Sequence, residues 1–286
     1  MTRTAAISRK TVTSSIAQAV ALSTMVAALA APAAQADWTA PQTLVRPPLF
    51  DAFRIDGAGN AKGLQAFAWF HTTRTMRRDP NGRGGYLRYV RARKRLADGR
   101  LGRIQTVSRK DVIVDTPLVG VDRGGTTTVS WLESRRGRRS PYVMAAVARK
   151  GTGFGTPVQL GRSSPEGDLG FGQSMVVARD GGAVLAWDDG RRVVAARRPA
   201  GSCSSRSARA CFGSTRHLSG PRVAGARPAT AIGLDGRAHV VWMDGTGAIR
   251  LATARPGLPL KTSQRVSPAG QPASNPVVAA ARAGRA

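Results

Sequence analysis

The residues with the most capacity for chemistry in this chain are its arginines. Lysine and arginine number 44 against 16 aspartates and glutamates, a formal charge of +28. Thirty-eight of the cations are arginine, and the only glutamates are Glu133 and Glu166. Guanidinium forks match sulfate, phosphate and carboxylate groups bidentately, so exposed clusters of them point to anion binding. Two clusters stand out. One stretch carries Arg74, Arg77, Arg78 and Arg83, and a second carries Arg135, Arg136, Arg138 and Arg139, with Arg109 and Lys110 between them. Arg77, Arg78, Arg109, Lys110, Arg135, Arg136, Arg138 and Arg139 form the candidate anion-binding set. A charge of this size attracts polyanions such as acidic glycans and cell-wall phosphates. Arginine-for-lysine usage with alanine and glycine richness also follows from a GC-rich genome, so the charge is either functional or compositional.

Other chemistry is sparse. Glycoside hydrolysis needs two carboxylates held ~5 to 9.5 Å apart. Glu166 and Asp168, two apart in a Gly/Pro loop, are the one candidate pair, and such a loop does not fix their geometry. His71, His217 and His239 are scattered, with no serine or cysteine nucleophile context and no Gly-x-Ser-x-Gly elbow. No residue set forms a metal site, and no cofactor is implied. Cys203 and Cys211, eight apart with no histidine beside them, suit neither zinc nor a Cys-x-x-Cys redox pair; in an exported chain they read as a structural disulfide.

The elements that must position these residues repeat. A glycine-rich turn, a short apolar strand and a tryptophan six residues after a glycine recur as Gly63 to Trp69, Gly125 to Trp131, Gly181 to Trp187 and Gly236 to Trp242. The tryptophans fall 62, 56 and 55 residues apart, a spacing that signals a repeat architecture. In the fourth copy, Pro228 to Leu234 reaches an Asp235-Gly236 turn, a strong hairpin signal. Strands over 237–242, 248–254 and 262–266 follow, separated by Gly, Pro, Asp and Ser. Copy one diverges: Lys62 stands in place of the turn aspartate, and its hairpin carries an insert from His71 to Gly85. Four antiparallel strands and one tryptophan per unit describe a β-propeller blade. The expected fold is an all-β propeller with blades at about 51–107, 117–160, 172–218 and 227–266 and a partial fifth at 276–286. Each tryptophan is expected to fill the wedge between neighbouring blades rather than hold a ligand.

The repeats resemble the sialidase-like propellers of exported bacterial proteins over residues 38 to 286. That superfamily's Asp-box, Ser-x-Asp-x-Gly-x-Thr-Trp, is absent, so the resemblance implies the fold and not sialidase activity. In such propellers the loops from strand two to three and from strand four to the next strand one share the ligand face. The resemblance therefore places both arginine clusters, with Arg109 and Lys110, on that face. The matching hairpins of blades three and four are acidic, with Asp188-Asp189 and Asp244.

The ends carry their own signals. Arg3, Arg9 and Lys10 precede an apolar run from Ala17 to Ala31 and a small-x-small site, Ala34-Gln35-Ala36. Residues 1–36 read as a secretory signal peptide cleaved after Ala36. Subtracting those three cations from +28 leaves +25 for the mature chain. No second hydrophobic span occurs, so no membrane span is expected after cleavage. At the other end, Pro276 to Ala286 superposes on Pro228 to Ala238, and residues 39–45 resemble a closing fourth strand. The expectation is a C-terminally truncated or open propeller. The preferred functional reading is a secreted, non-catalytic module that binds an acidic polysaccharide, a cell-surface polyanion or another anionic partner. Nucleic acid is not the expected natural partner, since the basic sector lacks interleaved aromatics. The alternative is a sialidase-like carbohydrate-active enzyme, a glycoside hydrolase or lyase, with part of its site in missing blades.

Overall fold

Short β-branched runs punctuated by glycine fold into four sheets of four antiparallel strands each. The computed structural model describes residues 41–45, 52–78, 84–110, 112–135, 140–164, 172–201, 203, 211–220, 227–261 and 263–281; for 52–53, 73–78 and 84–87 it describes the backbone only. The first sheet holds β1 (Ala52–Gly59), β2 (Gln65–Arg78), β3 (Gly84–Arg95) and β4 (Gln105–Thr106). The second holds β5 (Ile113–Val121), β6 (Thr127–Ser134), β7 (Tyr142–Ala148) and β8 (Val158–Arg162). The third holds β9 (Gln173–Val177), β10 (Ala183–Asp188), β11 (Val193–Arg198) and β12 (Arg216–His217). The fourth holds β13 (Ala229–Ile232), β14 (Ala238–Met243), β15 (Ile249–Ala254) and β16 (Gln264–Arg265). Every sheet pairs its strands in sequence order, a meander that makes each one a propeller blade.

Packing between blades gives the radial order. First strands neighbour one another in succession, β1 with β5, β5 with β9 and β9 with β13, so they line the axis. The four repeat tryptophans are fully buried at 0 to 1 % exposure. Trp131 joins Val90, Ala92 and Val107 of blade one, Trp187 joins Leu132, Val143 and Ala145 of blade two, and Trp242 joins Val184, Ala186 and Leu218 of blade three. Each of these three rings thus plugs into the preceding blade. Two glycines permit the approach. A Cβ on Gly161 would lie 2.6 Å from Trp187 Cζ2, and one on Gly120 would lie 2.3 Å from Val177 Cγ2.

Several details differ from the sequence reading. Strand two runs past its tryptophan, to Ser134 in β6 and Asp188 in β10. Blade two begins at Ile113, four residues ahead of Pro117, because the proline sits in a β-bulge inside β5 rather than at its start. In copy one Asn60, not Lys62, takes the turn role: its Oδ1 accepts the Lys62 and Leu64 amides at 3.0 and 3.2 Å. Blade one also has the longest hairpin, β2 and β3 pairing out to Arg78↔Gly84.

Residues Leu44–Ala286 form one compact unit, to which everything below refers. Residues 41–45 lie in no strand, and residues 39 and 40 of the expected closing strand fall outside the described residues, as does the signal segment 1–36. The expected start of a fifth blade is described only as far as Ala281 and lies in no strand. It runs beside blade four, after the Ala273 amide donates to the Gly247 carbonyl at 2.8 Å. Cys203 and Cys211 are disulfide-bonded, with Cα atoms 4.6 Å apart, between strands three and four of blade three.

Gly120→Ala drives a methyl into Val177 where two inner strands meet. It should destabilise the fold by about 1–3 kcal/mol in urea-induced unfolding. An unchanged midpoint would mean the inner strands are not packed at this distance.

Candidate functional site

Antiparallel order sorts the loops onto two ends of the blades. The turns after the first strands and the loops between strands three and four lie at one end, here the lower. The hairpins between strands two and three, the connections to the next blade and the starts of the inner strands lie at the other, here the upper. The chain's topology therefore puts Arg77, Arg78, Arg109, Lys110 and Arg135 at the upper end.

Arg109 and Lys110 are exposed, and no carboxylate among the described residues pairs with either. Arg77 and Arg78 lie at the tip of the long blade-one hairpin, placed by backbone register alone. Arg136, Arg138 and Arg139 fall outside the described residues, as do Glu166 and Asp168.

Arg135 is differently placed. Its Nε donates to Glu133 Oε1 at 2.8 Å, and its guanidinium stacks 4.5 Å from the Tyr142 ring centroid. Glu133 is 1 % exposed. A buried carboxylate needs a compensating charge, so Arg135 is held by the protein itself. Its binding role is thereby subordinate to a structural one.

The acidic residues of the equivalent hairpins are also turned inward. Asp188 is buried, and its Oδ1 accepts the Gly190 amide at 2.7 Å. Asp189 Oδ1 accepts the Arg191 and Arg192 amides. Asp244 Oδ1 accepts from the Thr246 amide and hydroxyl and the Ala248 amide, while Oδ2 accepts from Arg250 Nε at 2.7 Å. Burial raises the Asp244 pKa, but these bonds, the Thr246 hydroxyl and Arg250 guanidinium foremost, outweigh it and hold the carboxyl far below the usual range.

The structure adds residues near the axis that carry no sequence motif. Bulges interrupt β1 between Phe53 and Asp56 and β5 between Asp115 and Leu118. Both stand opposite the repeat tryptophans, Trp69 and Trp131. Each holds a non-glycine residue at positive φ, Arg54 at 46° and Thr116 at 47°. For a β-branched residue this is a real outlier, and such strain collects where side chains must be aimed. Arg54 Nη1 pairs with Asp115 Oδ1 at 3.1 Å. Asp56 Oδ2 accepts the Val119 amide across the blade boundary at 2.6 Å. Burial pushes the Asp56 pKa up, against the lowering effect of bonds from the Val119 and Gly57 amides. Gln173, on the next inner strand, donates to the Thr116 carbonyl at 2.7 Å and receives Ser130 Oγ at 3.1 Å. Pro117, read from the sequence as the start of blade two, is the one residue whose type could have marked a bulge, since proline inside a sheet sits at an edge or a bulge. Nothing in the sequence marks Arg54.

Both inner-strand carboxylates are therefore committed to protein partners. Histidines do not converge: His71 stacks near Tyr89, His217 lies against Arg192, and His239 is half-buried on β14, where burial lowers its pKa. Among the described residues no group of three metal-ligating side chains comes together.

No protein-family model matches the chain, and no curated protein does. Solved structures similar to it include the BP39L lectin from Burkholderia pseudomallei, 12 % identical over 75 % of this chain and 55 % of that one, TM-score 0.46. The α-L-arabinanase of Penicillium chrysogenum is 12 % identical over 81 % of this chain and 72 % of its own, TM-score 0.42. The sialidase of Trypanosoma rangeli is 12 % identical over 75 % and 37 %, TM-score 0.42. The chain spans about half the length of that lectin.

Two variants check these placements. Arg135→Ser leaves Glu133 buried without its cation and should cost about 1–3 kcal/mol; no loss would mean the pair is idle. Asp244 has a lowered folded pKa, so its contribution is full above the unfolded value of ~3.9 and fades as pH falls below it. Asp244→Asn should be less stable at neutral pH and should flatten the fall in stability between about pH 5 and 2. A parallel acid limb in the variant would contradict that reading.

Proposed function

We propose that this chain is a secreted, non-catalytic propeller module whose upper rim binds an anionic extracellular polymer. The observation that carries the reading is the pair Arg109 and Lys110, exposed and without a carboxylate partner among the described residues, between two arginine-bearing hairpins. Across the same end, the acidic residues of blades three and four are consumed by their own turns. One sector is left positive.

Simple arithmetic supports a surplus of free cations. If each of the 16 carboxylates took one of the 44 cations, 28 would still lack a partner. Some arginines work inside the fold, so total charge overstates the binding surface. Arg198 is fully buried and spans two blades, donating to the Gly181 carbonyl at 2.7 Å and Thr128 Oγ1 at 2.6 Å. Arg197 donates to the Arg255 carbonyl at 2.7 Å. Arg109 and Lys110 are of the other kind, exposed to solvent where sulfate, phosphate or carboxylate groups can meet them. Secretion is part of the proposal, supported by the N-terminal segment and by the Cys203–Cys211 disulfide, a bond of oxidising compartments. Catalysis finds less support, because Asp56 and Asp115 are both engaged and so form no free carboxylate pair.

Binding of this kind must be salt-sensitive, since exposed charges are screened over ~8 to 10 Å at physiological ionic strength. The test replaces Arg109, Arg136, Arg138 and Arg139 with serine and leaves Arg135 in place. A control replaces four exposed lower-end cations, Lys62, Lys150, Arg255 and Lys261. On a heparin resin the rim variant should elute at much lower salt than the control, with a flatter salt dependence. Equal shifts would show that only net charge matters, and the rim would then be compositional.

A further inference from the structure

The lower end of the axis holds a second kind of site. A cavity of about 650 Å³ opens there between the inner strands of blades three and four and the first turn of blade two. That volume suits a small molecule rather than a polymer. Its walls combine Val177, Ile232 and Leu234 with Arg123 and Arg179. Leu234 is 70 % exposed, unusual for a large aliphatic residue beside a concavity.

The repeat explains how these residues meet. Arg123, Arg179 and Leu234 each stand two residues before a turn glycine, Gly125, Gly181 and Gly236. All three glycines have φ between 73° and 90°, which sets the same tight turn in each blade. The Arg123 amide donates to the Arg179 carbonyl at 2.9 Å, which locks the first two turns side by side.

Partners decide what would enter. Asp180 and Asp235 also line the cavity, and each carboxylate is bonded to its own turn. Asp180 Oδ1 accepts the Gly182 amide at 2.9 Å, and its charge is felt by Arg197 and Arg198. Asp235 Oδ1 accepts the Arg237 amide at 3.0 Å, and Oδ2 lies 3.7 Å from Arg237 Nε. Arg123 and Arg179 have no carboxylate partner among the described residues. Two arginines without an ion pair among the described residues, beside an aliphatic wall, match one ligand chemistry, an anionic head on an apolar body. A hydroxyl-rich sugar would leave the aliphatic wall unused, and no aromatic ring lines the cavity to stack on it.

We propose that the lower axial cavity binds a small amphipathic carboxylate, its head between Arg123 and Arg179 and its apolar body against Ile232 and Leu234. The site is at the opposite end from the basic rim and does not depend on it.

Isothermal titration of the full chain with octanoate tests this, with octanol and octyltrimethylammonium as uncharged and cationic matches. Saturable binding of octanoate and at least tenfold weaker binding of both matches is expected. The double variant Arg123→Ser/Arg179→Ser should weaken octanoate at least tenfold, and Leu234→Ser should weaken it several-fold. The rim variant should bind octanoate as the native chain does. N-acetyl-leucine, titrated in parallel, distinguishes a peptide end from a fatty acid as the source of the carboxylate. A heparin elution unchanged in Leu234→Ser shows that this variant is folded. No saturable octanoate binding, equal binding of octanol, or full binding by the double variant would each overturn the proposal.

Discussion

The inner edge of each blade is the constraint on which the rest depends. A first strand pairs with its own second strand on one side, and its other edge of amides and carbonyls faces the axis. Unpaired strand edges invite aggregation, and buried backbone groups without partners are costly. Here side chains from the neighbouring blade take up part of that edge. Asp56 receives the Val119 amide, Gln173 donates to the Thr116 carbonyl, and Ser174 Oγ receives the Thr230 amide at 3.2 Å. Lower down, Asn60 Nδ2 donates to the Asp122 carbonyl at 2.8 Å. The blades are thus joined at the axis by polar bonds and at mid-radius by buried tryptophans. Val177 against Gly120 and Trp187 against Gly161 show how little spare volume those joints contain.

This division of labour decides which charges are left for function. Acidic side chains are few, and the structure uses most described ones in turns, in bulges or across blades. Glu133, Asp188 and Asp244 are all buried behind their own hairpins. Cations outnumber those positions, so the surplus must sit on the outside. At the upper end we propose that it meets an extended polyanion. At the lower end two arginines border a cavity with an aliphatic wall, suited to something small. One repeat unit therefore presents different chemistry at its two ends, because its upper hairpins vary in length while its lower turns do not.

Much of the fold was legible in the sequence because the repeat leaves a periodic trace. The tryptophan spacing located the blades, and the Asp-Gly turns located the hairpins within a residue or two. The strands of the fourth copy, read over 237–242, 248–254 and 262–266, run over Ala238–Met243, Ile249–Ala254 and Gln264–Arg265. The disulfide followed from spacing and loop composition. The bulges did not show, since a bulge depends on one extra residue opposite a partner strand and local propensity is blind to it. Thr116 even contradicts propensity, being β-branched, at positive φ and followed by proline, which disfavours compact conformations. The role of Arg135 was equally hidden. Its neighbours in sequence are arginines, but its partner is a glutamate that becomes buried only when blade two closes on Tyr142. Asn60 was missed for a related reason: it caps from three residues before the turn glycine, as Asp122 does in copy two, whereas Asp180 and Asp235 cap from one residue before theirs.

The central claim is that the two ends of the blades differ in what they attract. Amide hydrogen exchange on the full chain, with and without a heparin oligosaccharide, measures this residue by residue. Protection should appear at residues 108–110 and along the hairpin after β6, with no change at the lower turns around Gly125, Gly181 and Gly236. Protection spread evenly over both ends, or centred on the lower turns, would contradict it.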